Sequence, residues 1–120
     1  MKDIYGAIMG DVVNSSNFPS LEKLTEYLEK VFKIIQKRHK IYYQIYRGDA
    51  FTIIADKPQS VFTIYRLIQN LLYNKYKIRV VMCYDVGQLK IFNENPGYCQ
   101  GPLLQHLGKL FDLCKTYSQI

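Results

Sequence analysis

Two aspartates are the residues of this chain best suited to chemistry. Asp11 follows Gly10 at the end of an apolar stretch, and Asp49 follows Gly48 between two stretches rich in aromatic and β-branched residues. A strand end holds a side chain rigidly while leaving it open to solvent, and an adjacent glycine lets a bulky anion approach the backbone. Two carboxylates brought together in this way make a hard, all-oxygen site. Such a site suits Mg²⁺, which is usually held by one or two protein carboxylates together with substrate phosphates. If the fold sets the two strands side by side, the pattern is that of metal-dependent chemistry on a nucleotide.

The elements that must position them follow from periodicity. Residues 4–9 form a short apolar strand, and residues 10–19 a polar loop. Ser20 is placed to cap a helix that runs to Arg38, with Pro19 before it and Glu22 in its first turn. Leu21, Leu24, Leu28, Val31, Phe32 and Ile35 recur at three and four and give that helix one apolar stripe. Residues 41–46 and 50–55, separated by Arg47-Gly48-Asp49, read as a β-hairpin. A second helix spans residues 60–74. Residues 77–84 form a strand whose run Val80-Val81-Met82-Cys83, apolar on both faces, suits a buried central position. Residues 88–92 add a candidate edge strand, 93–97 a loop, and Gly101-Pro102 opens a third helix with proline in its first turn.

The order β-α-β-β-α-β, then α, is the split βαβ or ferredoxin-like arrangement. The expected fold is therefore α+β: an antiparallel sheet with helices packed on one face, plus a C-terminal helix. In such a sheet strand 1 lies beside strand 3, and the turn between strands 2 and 3 falls at the C-terminal end of strand 1. Asp11 and Asp49 would then meet at one sheet edge.

Composition sets the outer bounds. A chain of 120 residues reads as one domain over 1–120. No long apolar run lacks charges, which argues against a membrane span, and the short N-terminal apolar stretch broken by Asp3 does not read as a signal peptide. A cytoplasmic location is the default expectation. Cys83, Cys99 and Cys114 show no metal-binding spacing and read as reduced thiols. The net charge of +6 suits an anionic partner such as a nucleotide. The densest basic run, Lys37-Arg38-His39-Lys40, ends a helix and complements its dipole, so nucleic acid is not the expected partner.

The segment AIMGDVVNSS, followed some 35 residues later by YRGDAFTII, resembles the paired motifs of the palm-type nucleotide cyclases and polymerases. That group includes class III nucleotidyl cyclases, GGDEF diguanylate cyclases, SatD-like proteins and the CRISPR polymerase palm. In length the chain is similar to the minimal CRISPR polymerases, implicated in cyclic-nucleotide signalling in antiviral defence. The stretch Gly101 to Lys109 resembles the class III helix pattern, with Gln105 for its asparagine and Lys109 for its arginine. The resemblance implies that Asp11 and Asp49, helped by the Val12 carbonyl, hold two Mg²⁺ or Mn²⁺ ions on a nucleoside triphosphate, ATP being the expected one. It implies that Gly10, Val12, Val13, Asn14, Ser15, Ser16 and Gly48 cradle the phosphates, that Gln105 contacts the nucleotide, and that Arg47 or Lys109 neutralises the reacting phosphate. It further implies a cyclic mononucleotide, dinucleotide or oligonucleotide product and a homodimer or larger homo-oligomer. A tyrosine surplus, including Tyr42, Tyr43, Tyr46, Tyr65, Tyr73 and Tyr76, fits an interface or a base-stacking role.

Two departures favour a competing reading. Ala50 stands where GGDEF and CRISPR palms carry a second acidic residue, and Gln105, with Lys109, is a softer version of the class III pair, lysine lacking the bidentate fork of arginine. A degenerate palm that binds nucleotide or scaffolds a partner would share both features. A basic ferredoxin-like RNA-binding domain ranks third, because strands 1 and 3 lack an exposed aromatic pattern. Taken singly, each residue also has a plain reading: Asp11 and Asp49 as turn formers, Lys109 and His106 as solvated helix residues, Asp85 as a strand-end residue.

Overall fold

The computed structural model describes residues 3–118, so the single-domain expectation for 1–120 extends two residues beyond the described chain at each end. Four strands and three long helices follow one another as β1 (Ile4–Val12), α1 (Leu21–Gln36), β2 (Ile41–Tyr46), β3 (Ala50–Ala55), α2 (Val61–Tyr76), β4 (Val80–Gln88) and α3 (Pro102–Ser118). The strands pair in the order β2-β3-β1-β4, antiparallel throughout. This is the α+β arrangement that the element order requires, with β1 central and beside β3.

The sheet is the middle of three layers. Alternate residues of β1 serve opposite faces. Ile8 and Val12 join Phe51, Ile53 and Phe32 in the core beneath α1 and α2. Tyr5 and Ala7 join Ile54, Leu103 and Leu107 in a second core beneath α3. With both faces covered, β3 is buried along its whole length and its sequence shows no polar-apolar alternation. Ser20 caps α1 as expected, its side chain accepting from the Lys23 amide at 3.1 Å.

Several boundaries depart from the sequence expectation. β1 runs through Asp11 to Val12 instead of ending at residue 9, because its pairing with β3 and β4 continues to that point. α2 ends at Tyr76, where Lys77 adopts a left-handed conformation and the Ile78 amide reaches back to the Leu72 carbonyl at 3.1 Å. That closing motif uses carbonyls that would otherwise lack partners and delays β4 to Val80. β4 is an edge strand, not a central one. Its apolar run is explained by cover on both faces: Met82 lies in the core beneath α1 and α2, and Cys83 in the core beneath α3. Residues 88–92 form no strand, only an isolated bridge between Ile91 and Gln100.

Gly10 is required by packing. A Cβ there would enter the Phe51 ring and lie 2.9 Å from Met82 Cγ. Cys83 is buried, which pushes its thiol from about 9.0 up to about 12, with Cys114 nearby adding to the shift. Cys83 should therefore resist a thiol reagent at pH 8 in the native protein and react only once urea unfolds the chain. Rapid native labelling at Cys83 would contradict this packing. Gly10→Ala should cost about 1–3 kcal/mol in urea denaturation, as an overpacked site does. A variant as stable as the parent would show that β1 does not pass directly beneath Phe51.

Candidate active site

The register of the sheet brings the two aspartates to one end. Asp11 pairs across β1 and β3 with Ala50, the residue after Asp49. The next amide, that of Val12, donates to the Asp49 carbonyl at 2.9 Å. The hairpin that presents Asp49 is tight: Arg47 and Gly48 take φ of 53° and 81°, and the Asp49 amide donates to the Tyr46 carbonyl at 3.2 Å. Two successive positive φ values make a turn whose twist matches the strands. Arg47 occupies the left-handed region without glycine's freedom, which is a local strain. Thr25 Oγ1 of α1 donates to the Gly48 carbonyl at 3.1 Å and ties the hairpin tip to the helix layer.

Among the described residues each carboxylate is met from outside its own strand. Asp49 Oδ2 accepts from Ser15 Oγ at 2.8 Å. Asp11 Oδ2 lies 3.4 Å from Lys115 Nζ of α3. Among the described residues no group of three or more His, Cys, Asp and Glu side chains gathers, so a metal here would rest on these two carboxylates and backbone oxygen. Those donors are hard oxygens at neighbouring positions of two paired strands, and they fit Mg²⁺ or Mn²⁺ completed by phosphate and water.

The loop after β1 offers fewer amides than expected. The Val12 and Val13 amides are spent on the carbonyls of Asp49 and Arg79, each at 2.9 Å. Sheet pairing simply continues past the point where the sequence suggests a loop. Among the described residues, the amides of Asn14, Ser15 and Ser16 carry no backbone partner. Asn14 is left-handed, at φ 55° and ψ 43°, and leads into a short 3-10 turn, Ser15–Asn17. Successive amides in such a sequence of conformations form a small anion-binding concavity.

Beside Asp11 and Asp49 opens a cavity of about 400 Å³ lined by Met9, Tyr46, Arg47, Phe51, Thr52 and Phe111. It is mostly apolar, as small-molecule pockets are. Thr52 is the buried polar residue of the described chain.

Not every expected residue converges. Gln105 and Lys109 are exposed on α3 and do not face the carboxylates of their own chain. The inner face of α3 carries Leu103, Leu107, Phe111 and Cys114, and Lys115, not Lys109, meets Asp11. Six residues separate the two lysines, which places them about 120° apart around the helix. Lys115 follows Phe111 by four positions, and that flank of the apolar stripe was the available signal. Gly10 lines the cavity, but packing already accounts for it. Asp85 accepts from the Val86 amide at 2.8 Å, a local strand contact, and His106 is exposed. Much of the tyrosine surplus packs ring to ring within the chain: Tyr27 stacks on Tyr76, while Tyr43 with Phe32, Tyr42 with Phe92 and Tyr65 with Tyr84 meet tilted or edge-on. No helix among the described residues is long and apolar enough to cross a membrane.

Solved structures share this architecture. The fold matches the catalytic core of a rhodopsin-guanylyl cyclase with converted specificity, in complex with ATPαS, with a TM-score of 0.54 and 14% identity over 92% of this chain and 72% of that one. It matches the monomeric guanylyl cyclase domain of the RhoGC fusion protein from the aquatic fungus Blastocladiella emersonii with the same score and identity, over 92% of this chain and 75% of that one. No family model and no curated protein matches the chain. The fold is thus of the palm type found in nucleotide cyclase cores.

Ser15→Ala should remove the hydrogen bond that fixes the loop to Asp49 and cost about 1 kcal/mol in denaturant melts, a charge-assisted bond discounted for partial exposure. An unchanged melt would show that the loop is not held through Asp49.

Proposed function

We propose that the chain is a metal-dependent palm nucleotidyl cyclase acting on a nucleoside triphosphate, with ATP as the expected substrate. The observation that carries this reading is the pairing of β1 with β3, which sets Asp11 and Asp49 at one sheet end beside a cavity of about 400 Å³. Asp11 and Asp49 would hold the ions, helped by the Val12 carbonyl as the resemblance implies. A pair of Mg²⁺ or Mn²⁺ ions bound there would lower the pKa of a ribose hydroxyl and offset charge on the leaving pyrophosphate.

The remaining roles belong to the chain itself. The amides of Asn14, Ser15 and Ser16 would orient the distal phosphates. Ser15 keeps the Asp49 carboxylate aimed by its hydrogen bond. Tyr46, Phe51 and Phe111 offer an apolar wall to a base or ribose, and Thr52 a hydroxyl. Arg47, held in a strained turn at the cavity edge, is the cation to bear on the reacting phosphate. Gln105 and Lys109 would serve only a site on another copy, which is where the expectation of a homo-oligomer enters. The product would be a cyclic nucleotide signal. An antiviral setting follows only from the resemblance to the minimal CRISPR polymerases.

A second reading has its own observation. Ala50 is buried opposite Asp11 and Lys115 already holds that carboxylate, as suits a palm that binds nucleotide without turning it over.

Incubation with each nucleoside triphosphate and Mg²⁺ or Mn²⁺, with products identified by mass spectrometry, separates the two. Pyrophosphate and a cyclic nucleotide are expected, with turnover falling at least about a hundredfold in Asp11→Asn and in Asp49→Asn, since each removes charge stabilisation at the reacting centre. Thermal stabilisation by nucleotide and metal without product would favour the binding module. Neither product nor stabilisation would sink the two-aspartate reading.

A further inference from the structure

Lys115 stands where the carboxylates and the cavity meet. Its Nζ lies 3.4 Å from Asp11 Oδ2, with the lysine side chain 38% exposed and the aspartate 21%. The same ammonium sits 5.3 Å from the centroid of Phe111, one turn earlier on α3, and Phe111 is a wall of the cavity. Leu103 and Leu107 are buried and pin α3 to the sheet, so the lysine head group can move while the helix stays.

An ammonium and a divalent cation compete for the same carboxylate. Two positive charges on one oxygen repel, and the one with the higher charge density prevails. Lysine suits such an exchange: its ammonium is a point charge on a flexible four-carbon stem, whereas arginine would grip a carboxylate with two parallel bonds. The Phe111 ring, which the ammonium already contacts, can retain it through its electron-rich face once it leaves the carboxylate.

We propose that Lys115 is the resident counter-ion of the metal position. In the metal-free protein it neutralises Asp11. It leaves that carboxylate when a divalent cation binds, and its charge is then available to the phosphates of a nucleotide at the cavity mouth. The inference rests on the reading of Asp11 and Asp49 as metal ligands.

The test is Mn²⁺ titration of the whole chain without nucleotide, followed by electron paramagnetic resonance. Wild type, Lys115→Met, Lys115→Arg and Asp11→Asn are compared, and a melting curve confirms that each is folded. Lys115→Met should bind Mn²⁺ about two- to fivefold more tightly, the gain expected from releasing a partly exposed ion pair. Lys115→Arg should bind no more tightly than wild type and reports on the site even if the methionine variant fails to fold. The gain from Lys115→Met should vanish when it is combined with Asp11→Asn. At saturating Mn²⁺, ATP should bind Lys115→Met more weakly than wild type. Equal Mn²⁺ affinity in wild type and Lys115→Met would overturn the counter-ion role. Unchanged ATP affinity would overturn the transfer of charge to phosphate. Absence of Mn²⁺ binding by folded wild type would instead overturn the two-aspartate reading itself.

Discussion

The antiparallel pairing of β1 with β3 is the constraint on which the candidate site depends. Side chains alternate along a strand, so a slip of one residue would carry Asp11 from the face beneath α3 to the core beneath α1 and α2. That core holds Phe32, Phe51, Ile53 and Val12, and an unpaired carboxylate there would be costly. The register is therefore specified by the same burial that stabilises the sheet. Ile8 opposite Ile53 and Gly10 opposite Phe51 keep the apolar side chains inward. The Arg47-Gly48 turn and its tether to Thr25 fix the hairpin from the other end.

Once two carboxylates share a sheet end, the surroundings must answer their charge. They do so from two layers. Ser15, in the turn that follows β1, donates to Asp49, and Lys115, in the last helix, faces Asp11. The first partner is local in sequence to Asp11 yet serves Asp49, and the second comes from the far end of the chain. The site thus joins the N-terminal loop, the central hairpin and the C-terminal helix. Among the described residues, the Ser15 hydrogen bond and the Lys115 ammonium are modest compensation for two negative charges at one sheet end, which leaves the position receptive to further positive charge.

Element order and the meeting of Asp11 with Asp49 were readable because both follow from simple periodicities. The three-and-four spacing of α1, the Ser20 cap and the turn residues at 47–49 each act locally, and a βαββαβ order admits few sheet topologies. What escaped reading depends on tertiary contacts. The end of β1 could not be placed because the Val12 and Val13 amides find partners on Asp49 and Arg79, distant in sequence. β4 looked central because its apolar run is covered by helices on both faces, while its edge position is a matter of strand order. That Lys115 meets Asp11 was not read from the sequence, because it depends on helical phase. The motif match drew attention to Lys109, whereas packing of Leu103, Leu107 and Phe111 on the sheet turns Lys115 toward Asp11.

The small residue at position 50 fits the same electrostatics. Ala50 is buried, lies opposite both Asp11 and Tyr46, and borders the cavity. An acidic side chain there would share a face with Asp11 and would be a third negative charge beside one lysine. Burial would raise its cost, because a carboxylate withdrawn from water needs a partner of its own. With alanine in place, no third carboxylate is added beside Asp11 and Lys115, and the cavity keeps an apolar lining up to the edge of the charged pair. The absent acid and the present lysine thus belong to one arrangement. An alanine at position 50 keeps the negative charge at this sheet end to the two carboxylates that Ser15 and Lys115 already meet.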